Sequence, residues 1–260
     1  MKSKDNGLKI TFLGTGTSQG VPIINCDCEV CRSDDPRNKR LRTSVILEAA
    51  DTTILIDTTP DLRQQLLQNP VSRIDAVLYT HAHADHIYGI DELRRFNQLQ
   101  NERIVVYADE VTLSRLRHVF DYAFGEGHLI PGIPNLSGRV IQGPFNINGL
   151  MVKPLELLHG RRQILGFRIG DFAYCTDVSK IPDHMYGELT GLKILVLDAL
   201  RETPHPTHFS VDEAVREAQK ISAEKTYFIH MSHKIDHGSR NRTLPPPIEF
   251  AYDGLTVEVG

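Results

Sequence analysis

The sequence predicts a mixed α/β protein. Short apolar, β-rich runs recur along the chain, and helical patterns stand between several of them. Polar residues able to do chemistry repeatedly follow the strand ends, where loops converge. Two hairpin-rich halves with helices outside them would form a sandwich.

The elements follow in order. Lys9–Leu13 reads as a first strand that enters the Gly-rich turn Gly14 to Gly20. Gly14-Thr15-Gly16 lacks full dinucleotide-binding spacing, and Gly20-Val21-Pro22 stands where the helix should begin. These glycines are therefore expected to serve tight backbone passage. Ser44–Glu48 and Thr53–Asp57 read as a hairpin turning near Ala50-Asp51. Asp61–Gln68 is a short helix, Ile74 to Thr80 a β-rich run, and Asp91 to Leu99 a helical stretch. Ile104–Tyr107 is a strand and Glu110–Phe120 a helix. Tyr122 to Gly149, rich in Gly, Pro and Asn, reads as a loop or a cover over a site. Leu150–Leu157, Gly166–Ile169, Phe172–Cys175 and Lys193–Leu197 are strand-like. Ser210 with Glu213 three residues on is a capping box that opens a helix to Ile221. Lys225–Ile229 and Leu255–Val259 complete the strands. No internal repeat or linker interrupts the 260 residues, so one domain over 1–260 is expected.

Composition sets limits on function. Hydrophobic residues at 40% and charged residues at 24% suit a soluble globular protein. A formal charge of −4 does not support a nucleic-acid wrapper. No 18-residue apolar run suggests a membrane span, and Met1 to Gly7 has no signal-peptide core. A cytoplasmic location without a membrane partner is the resulting expectation, with nucleic acid disfavoured as a partner but not excluded.

Cys26, Cys28 and Cys31 form C-D-C-E-V-C. Such a loop suits three ligands of a tetrahedral zinc with a fourth from elsewhere; a reduced metal-free loop and a redox role are the alternatives. Cys175, in an apolar run, is a small buried hydrophobe. The strongest pattern is His81-Ala82-His83-Ala84-Asp85-His86 after an apolar strand. Alternate residues of an extended chain share a face, so His81 and His83 can reach one metal. A turn then lets Asp85 and His86 reach a second, and both donor types suit first-row cations.

This H-x-H-x-D-H box, with His159, Asp177 and His230 following in order, resembles the metallo-β-lactamase superfamily over nearly the whole chain. The resemblance implies an αββα sandwich of two mixed sheets flanked by helices, and a binuclear hydrolytic centre. His81, His83 and His159 would hold one ion, Asp85, His86 and His230 the other, and Asp177 both. The T-x-L-G-T-G segment at Thr11–Gly16, the continuation Gln19-Gly20-Val21-Pro22 and the Cys loop resemble the PhnP-like cyclic phosphodiesterases. That resemblance implies a separate structural zinc on Cys26, Cys28, Cys31 and His233. It also implies hydrolysis of a small phosphodiester such as 5-phosphoribosyl 1,2-cyclic phosphate by a metal-bridging hydroxide. Manganese or zinc would serve at the two catalytic positions. Asp85 would assist as acid or base while touching metal, and His208 would be catalytic, with a structural role at the helix start as its alternative. His205 is a weaker candidate. Arg161 and Arg162 either attract phosphate or form a solvated charged face.

Other branches of the superfamily remain as alternatives: a tRNA 3′-processing endoribonuclease, or a thioesterase or lactonase. No long Gly/Pro/basic insertion resembling a tRNA-binding arm is present. Residues 118–149 do not match the cyclic phosphodiesterase pattern and are expected to reshape the entrance or to mediate self-association as a homodimer.

Overall fold

In a computed structural model, which describes residues 7–125 and 132–260, the predicted strands fall into two seven-stranded sheets. Two compact units emerge, one from Met1–Leu13, Ser44–Gln142 and Gly254–Gly260, the other from Gly14–Thr43 and Gly143–Asp253. Met1 to Asn6, most of the leader reading, and residues 126–131 of the expected cover lie outside the described residues.

Elements are numbered in chain order. The first unit holds β1 (Leu8–Gly14), β2 (Ser44–Ala49), β3 (Thr52–Ile56), β4 (Ala76–Leu78), β5 (Ile104–Ala108), β6 (Leu136–Val140) and β14 (Thr256–Val259). Their sheet order is β14-β1-β2-β3-β4-β5-β6. β2 and β3 form the predicted antiparallel hairpin, and β3 to β6 run parallel. Parallel strands are covered on both faces and so read as continuous apolar runs. Ile54, Leu55 and Ile56 are all buried, as are Ala76, Val77 and Leu78. Helices α2 (Leu62–Gln68), α3 (Ala84–Ile87), α4 (Arg94–Gln100) and α5 (Glu110–Val119) belong to this unit. Asp109 caps α5 by accepting from the Thr112 amide at 2.7 Å. Leu113 and Leu116 of α5 join Val77, Val106 and Leu136 in the core.

The structure corrects three expectations here. The β-rich run at Ile74 is a strand only over Ala76–Leu78, because side chains take the neighbouring amides: Gln100 accepts from the Ile74 amide and Asp75 from that of Thr53. The helical stretch at Asp91 begins as a 3₁₀ turn, Ile90–Leu93, before α4. The loop expected from Tyr122 instead contains β6 and β7 (Phe145–Ile147). Strand β6, Leu-Ser-Gly-Arg-Val, is a sheet edge with little apolar alternation, so its pairing with β5 has no sequence pattern to announce it.

The second unit adds β8 (Leu150–His159), β9 (Arg162–Ile169), β10 (Phe172–Cys175), β11 (Ile194–Asp198), β12 (Lys225–Ile229) and β13 (Ile248–Phe250). The order is β13-β12-β11-β10-β9-β8-β7, antiparallel from β7 to β10 and parallel from β10 to β13. Strand β9 starts earlier than predicted because Arg162 pairs with His159 across a two-residue turn. Helix α6 (Val211–Ile221) has the predicted reciprocal capping box and packs on β11. Short helices α1 (Glu29–Arg32) and α7 (His237–Asn241) have no periodicity long enough to read from sequence. Among the described residues no helix is long and apolar enough to cross a membrane.

Candidate metal centre

Parallel register brings the first group of predicted residues together. Ile56 lies opposite Leu78, so β3 and β4 end side by side, with Asp57 beneath the His box. Asp57 is fully buried and has φ +63°, a left-handed conformation that Asp tolerates better than β-branched residues. Its carboxylate accepts from the Thr80 amide (2.9 Å), the Thr80 hydroxyl (2.8 Å) and His86 Nδ1 (2.7 Å). Burial pushes the Asp57 carboxyl upward, against the pull of His86 and these donors. The Thr80 hydroxyl, having given its proton to Asp57, accepts from His81 Nδ1 at 3.0 Å.

One carboxylate therefore sets the tautomer of two imidazoles, leaving Nε2 of His81 and of His86 as lone-pair atoms. His81 Nε2 lies 3.0 Å from His83 Nδ1, and His86 Nε2 lies 3.3 Å from Asp85 Oδ2. Two nitrogen ligands on a tetrahedral zinc are separated by about 3.3 Å. His81 with His83, and Asp85 with His86, thus pair ligand-type atoms at metal-ligand spacing.

In the second unit, Cys175 pairs with Leu197 and Asp198 with Ile229. That register delivers Asp177, Asp198 and His230 from three adjacent parallel strand ends. Asp177 and His230 have φ near +60°, as Asp57 does. Backbone strain of this kind persists where the surroundings hold it, commonly at functional sites. His159, at the end of β8, donates from Nδ1 to the Thr207 carbonyl at 2.8 Å, which leaves Nε2 as its ligand atom. Burial pushes the His159 pKa down and favours the neutral form that a metal requires. His230 Nε2 lies 3.3 Å, and His208 Nε2 4.0 Å, from Asp177 Oδ1.

Asp198 was not assigned a role from the sequence. It is buried, accepts from the Phe209 amide at 3.0 Å, and places Oδ1 3.2 Å from His208 Nδ1 and 3.4 Å from His230 Nδ1. Asp57 and Asp198 share a signal that could have found them: each is a carboxylate directly after or ending an apolar strand. His159, Asp177 and His208 stand together, as do Asp198, His208 and His230.

The Cys loop gathers as well. Sγ of Cys26, Cys28 and Cys31 lies 3.2, 3.5 and 3.8 Å from His233 Nδ1, and all four ligand atoms fall within 4.8 Å of one another. A tetrahedral zinc with thiolate ligands separates them by about 3.8 Å. Cys28 caps α1, and the Cys31 amide bonded to its sulfur lowers its pKa to about 6. Burial raises that of Cys31 to about 11. Arg40, buried and not anticipated, donates to the carbonyls of Ser232 (3.0 Å) and Ile235 (2.7 Å), which bracket His233. An isolated Arg in a polar loop carries no sequence signal for burial.

A family model for the beta-lactamase superfamily domain matches residues 52–231. Among solved structures, a new diphosphatase from the PhnP family is 43% identical, with 97% of each chain covered and a TM-score of 0.92. Among curated proteins, an octanoyltransferase of Porphyromonas gingivalis is 38% identical over 95% of this chain and 51% of its own length. The chain thus spans about half the length of that relative. Coenzyme PQQ synthesis protein B of Rhodopseudomonas palustris is 32% identical, covering 74% of this chain and 73% of that protein.

Proposed function

Since the chain belongs to the metallo-β-lactamase superfamily, with its two mixed sheets flanked by helices, and lies close to the PhnP family, we propose that it is a metal-dependent phosphodiesterase acting on a small, cyclic phosphodiester. The superfamily's ligand pattern would assign His81, His83 and His159 to one divalent ion, Asp85, His86 and His230 to a second, and Asp177 to both. The lone-pair tautomers set by Asp57, Thr80 and Thr207 fit that assignment. Zinc or manganese in such a site supplies Lewis acidity, neutralises phosphoryl charge and makes water nucleophilic at neutral pH. Cys26, Cys28, Cys31 and His233 would hold a further, structural zinc.

The observation that carries the reading is the arrangement of His208. Its Nδ1 side faces the buried Asp198, and its Nε2 lies near Asp177. Opening a phosphodiester expels an alkoxide, which needs a proton. Asp198 holds Nδ1–H and stabilises the imidazolium, so Nε2 is the atom that passes its proton to the departing oxygen. Loss of general-acid catalysis costs about 10²–10⁴-fold in rate. His208→Ala is expected to keep its metals, by elemental analysis, and to lose turnover on this scale; near-normal turnover would remove His208 from the mechanism. The wild type is assayed, metal-loaded, against a ribose cyclic phosphate, a linear phosphodiester, precursor tRNA and a thioester. Preferred cleavage of precursor tRNA or of the thioester would overturn the small-phosphodiester reading.

A further inference from the structure

Cys26 and His233 are 207 residues apart in the chain, and bringing such distant groups together costs loop-closure entropy. Arg40 grips both segments. Its backbone pairs with Val21, just before the Cys loop: the Val21 amide donates to the Arg40 carbonyl at 2.8 Å, and the Arg40 amide to the Val21 carbonyl at 2.7 Å. Its side chain reaches the other segment. Nη1 donates to the Ser232 carbonyl (3.0 Å) and Nη2 to that of Ile235 (2.7 Å), on either side of His233. Nη2 also donates to Asn38 Oδ1 (2.8 Å), and Nε to the Arg37 carbonyl (3.2 Å). Arg40 is 1% exposed, and a guanidinium so buried is costly unless its donors are matched. Here the planar fork is matched by uncharged acceptors on both segments, which the compact ammonium of a lysine could not span.

The Gly-rich turn makes room for this residue. A Cβ added at Gly16 would come within 2.9 Å of Arg40 Cβ and of the Arg40 carbonyl oxygen; at Gly20, with φ +64°, it would lie 3.1 Å from that same oxygen. The tight backbone passage expected of these glycines is thus a passage around Arg40. The segment that carries His233 also carries His230, yet different bonds hold the two. The Met231 amide donates to the Thr15 carbonyl (3.0 Å), the Thr17 amide to the Met231 carbonyl (3.2 Å), and the Ser232 amide to the Leu200 carbonyl (2.9 Å). These fix the chain just after His230 without Arg40. His233 then occupies the second position of a turn in which the Ile235 amide donates to the Ser232 carbonyl at 3.2 Å. Arg40 holds the carbonyls at both ends of that turn.

We propose that Arg40 is a positioning residue that sets the His233 turn against the cysteine sulfurs, and so raises metal affinity at the Cys site without altering the metals that His230 would help to hold. The inference rests on the reading of the Cys site as a zinc site.

Cobalt in place of zinc is the probe, because a thiolate-to-cobalt charge-transfer band reports cysteine ligands alone. Chelator competition followed at this band should show Arg40→Lys and Arg40→Met each binding cobalt about 10–100-fold more weakly than wild type. Circular dichroism checks the fold of each variant. Asn38→Ala keeps the guanidinium and removes one of its acceptors, so it should shift affinity the same way by a smaller factor; it decides the matter if the Arg40 variants do not fold. In a Cys28→Ser background the band should be lost, and adding Arg40→Lys there should leave the remaining metal content, by elemental analysis, unchanged. Wild-type cobalt affinity in the folded variants overturns the positioning role. So does a further loss of metal in the Cys28→Ser background, which would make Arg40 a support of the whole fold rather than of His233. A wild type without the charge-transfer band would instead reject the zinc reading itself, and the role of Arg40 with it.

Discussion

At the scale of single residues, two buried aspartates set imidazole orientation while standing outside the predicted ligand set. Asp57 takes three donors at once, so its replacement by Asn keeps the left-handed backbone and the volume but turns an amide N–H₂ toward one of them. Asp57→Asn is expected to weaken metal affinity by about 10–100-fold while the protein stays folded. Competition with a chromogenic chelator measures this, and wild-type affinity would show that Asp57 does not orient His86. Asp35 gives a pH-dependent counterpart. Its carboxylate caps a 3₁₀ turn at the Arg37 amide and pairs with the Arg37 guanidinium, whose hydrogen bond holds its pKa at about 2, below the usual 3.8. A depressed native pKa contributes stability that is present above pH 4 and lost as pH falls through 2. Asp35→Asn should therefore be less stable than wild type by about 1 kcal/mol or less at pH 7, because the pair is partly exposed. Urea melts should show that difference closing at pH 2; a constant difference at every pH would reject the ion pair as its source.

At the scale of elements, helix α6 was legible because its signals are local. Ser210 and Glu213 cap reciprocally, and the buried face Val211, Ala214, Ala218, Ile221 repeats at three and four residues. Ser210→Ala should cost about 1 kcal/mol in a denaturant melt, and a cost near zero would show that packing on β11 alone holds the helix start. Strand β12 at Lys225–Ile229 and strand β10 at Phe172–Cys175 coincide with their predicted bounds, since both are apolar runs closed by polar residues. Strand β6 was illegible for the opposite reason, being an edge made by its partner β5 rather than by its own pattern. The close approach at Gly89 was equally silent: a Cβ there would lie 1.9 Å from the Thr59 carbonyl oxygen, a contact set by where α3 ends against the segment after β3.

At the scale of the molecule, each unit encloses its own apolar core and presents ligand-type atoms at a set of strand ends. Like lone pairs and clustered thiols held close together favour the metal-bound folded state over the unfolded chain. Removing metal with a strong chelator should therefore lower the melting temperature by several degrees, and zinc should restore it. Cys28→Ser should bind one zinc fewer per chain. A melting curve indifferent to chelation, or an unchanged zinc count, would reject metal-linked stability and the Cys site respectively.

The sequence by itself determined which metal-ligand types of side chain are present and much of the secondary structure that carries them. Residue identity and spacing in the His box and the Cys loop are covalent facts, and strand periodicity and capping are local ones. Tertiary structure alone decided which carboxylates lie beneath which imidazoles. Asp57 meets His86 through the parallel register of β3 and β4, and Asp198 reaches both His208 and His230 through that of β11 and β12. Register between strands far apart in the chain is set by the packing of whole sheets. The tautomers that would suit these histidines as ligands or proton donors follow from that packing, so no short stretch of sequence displays them.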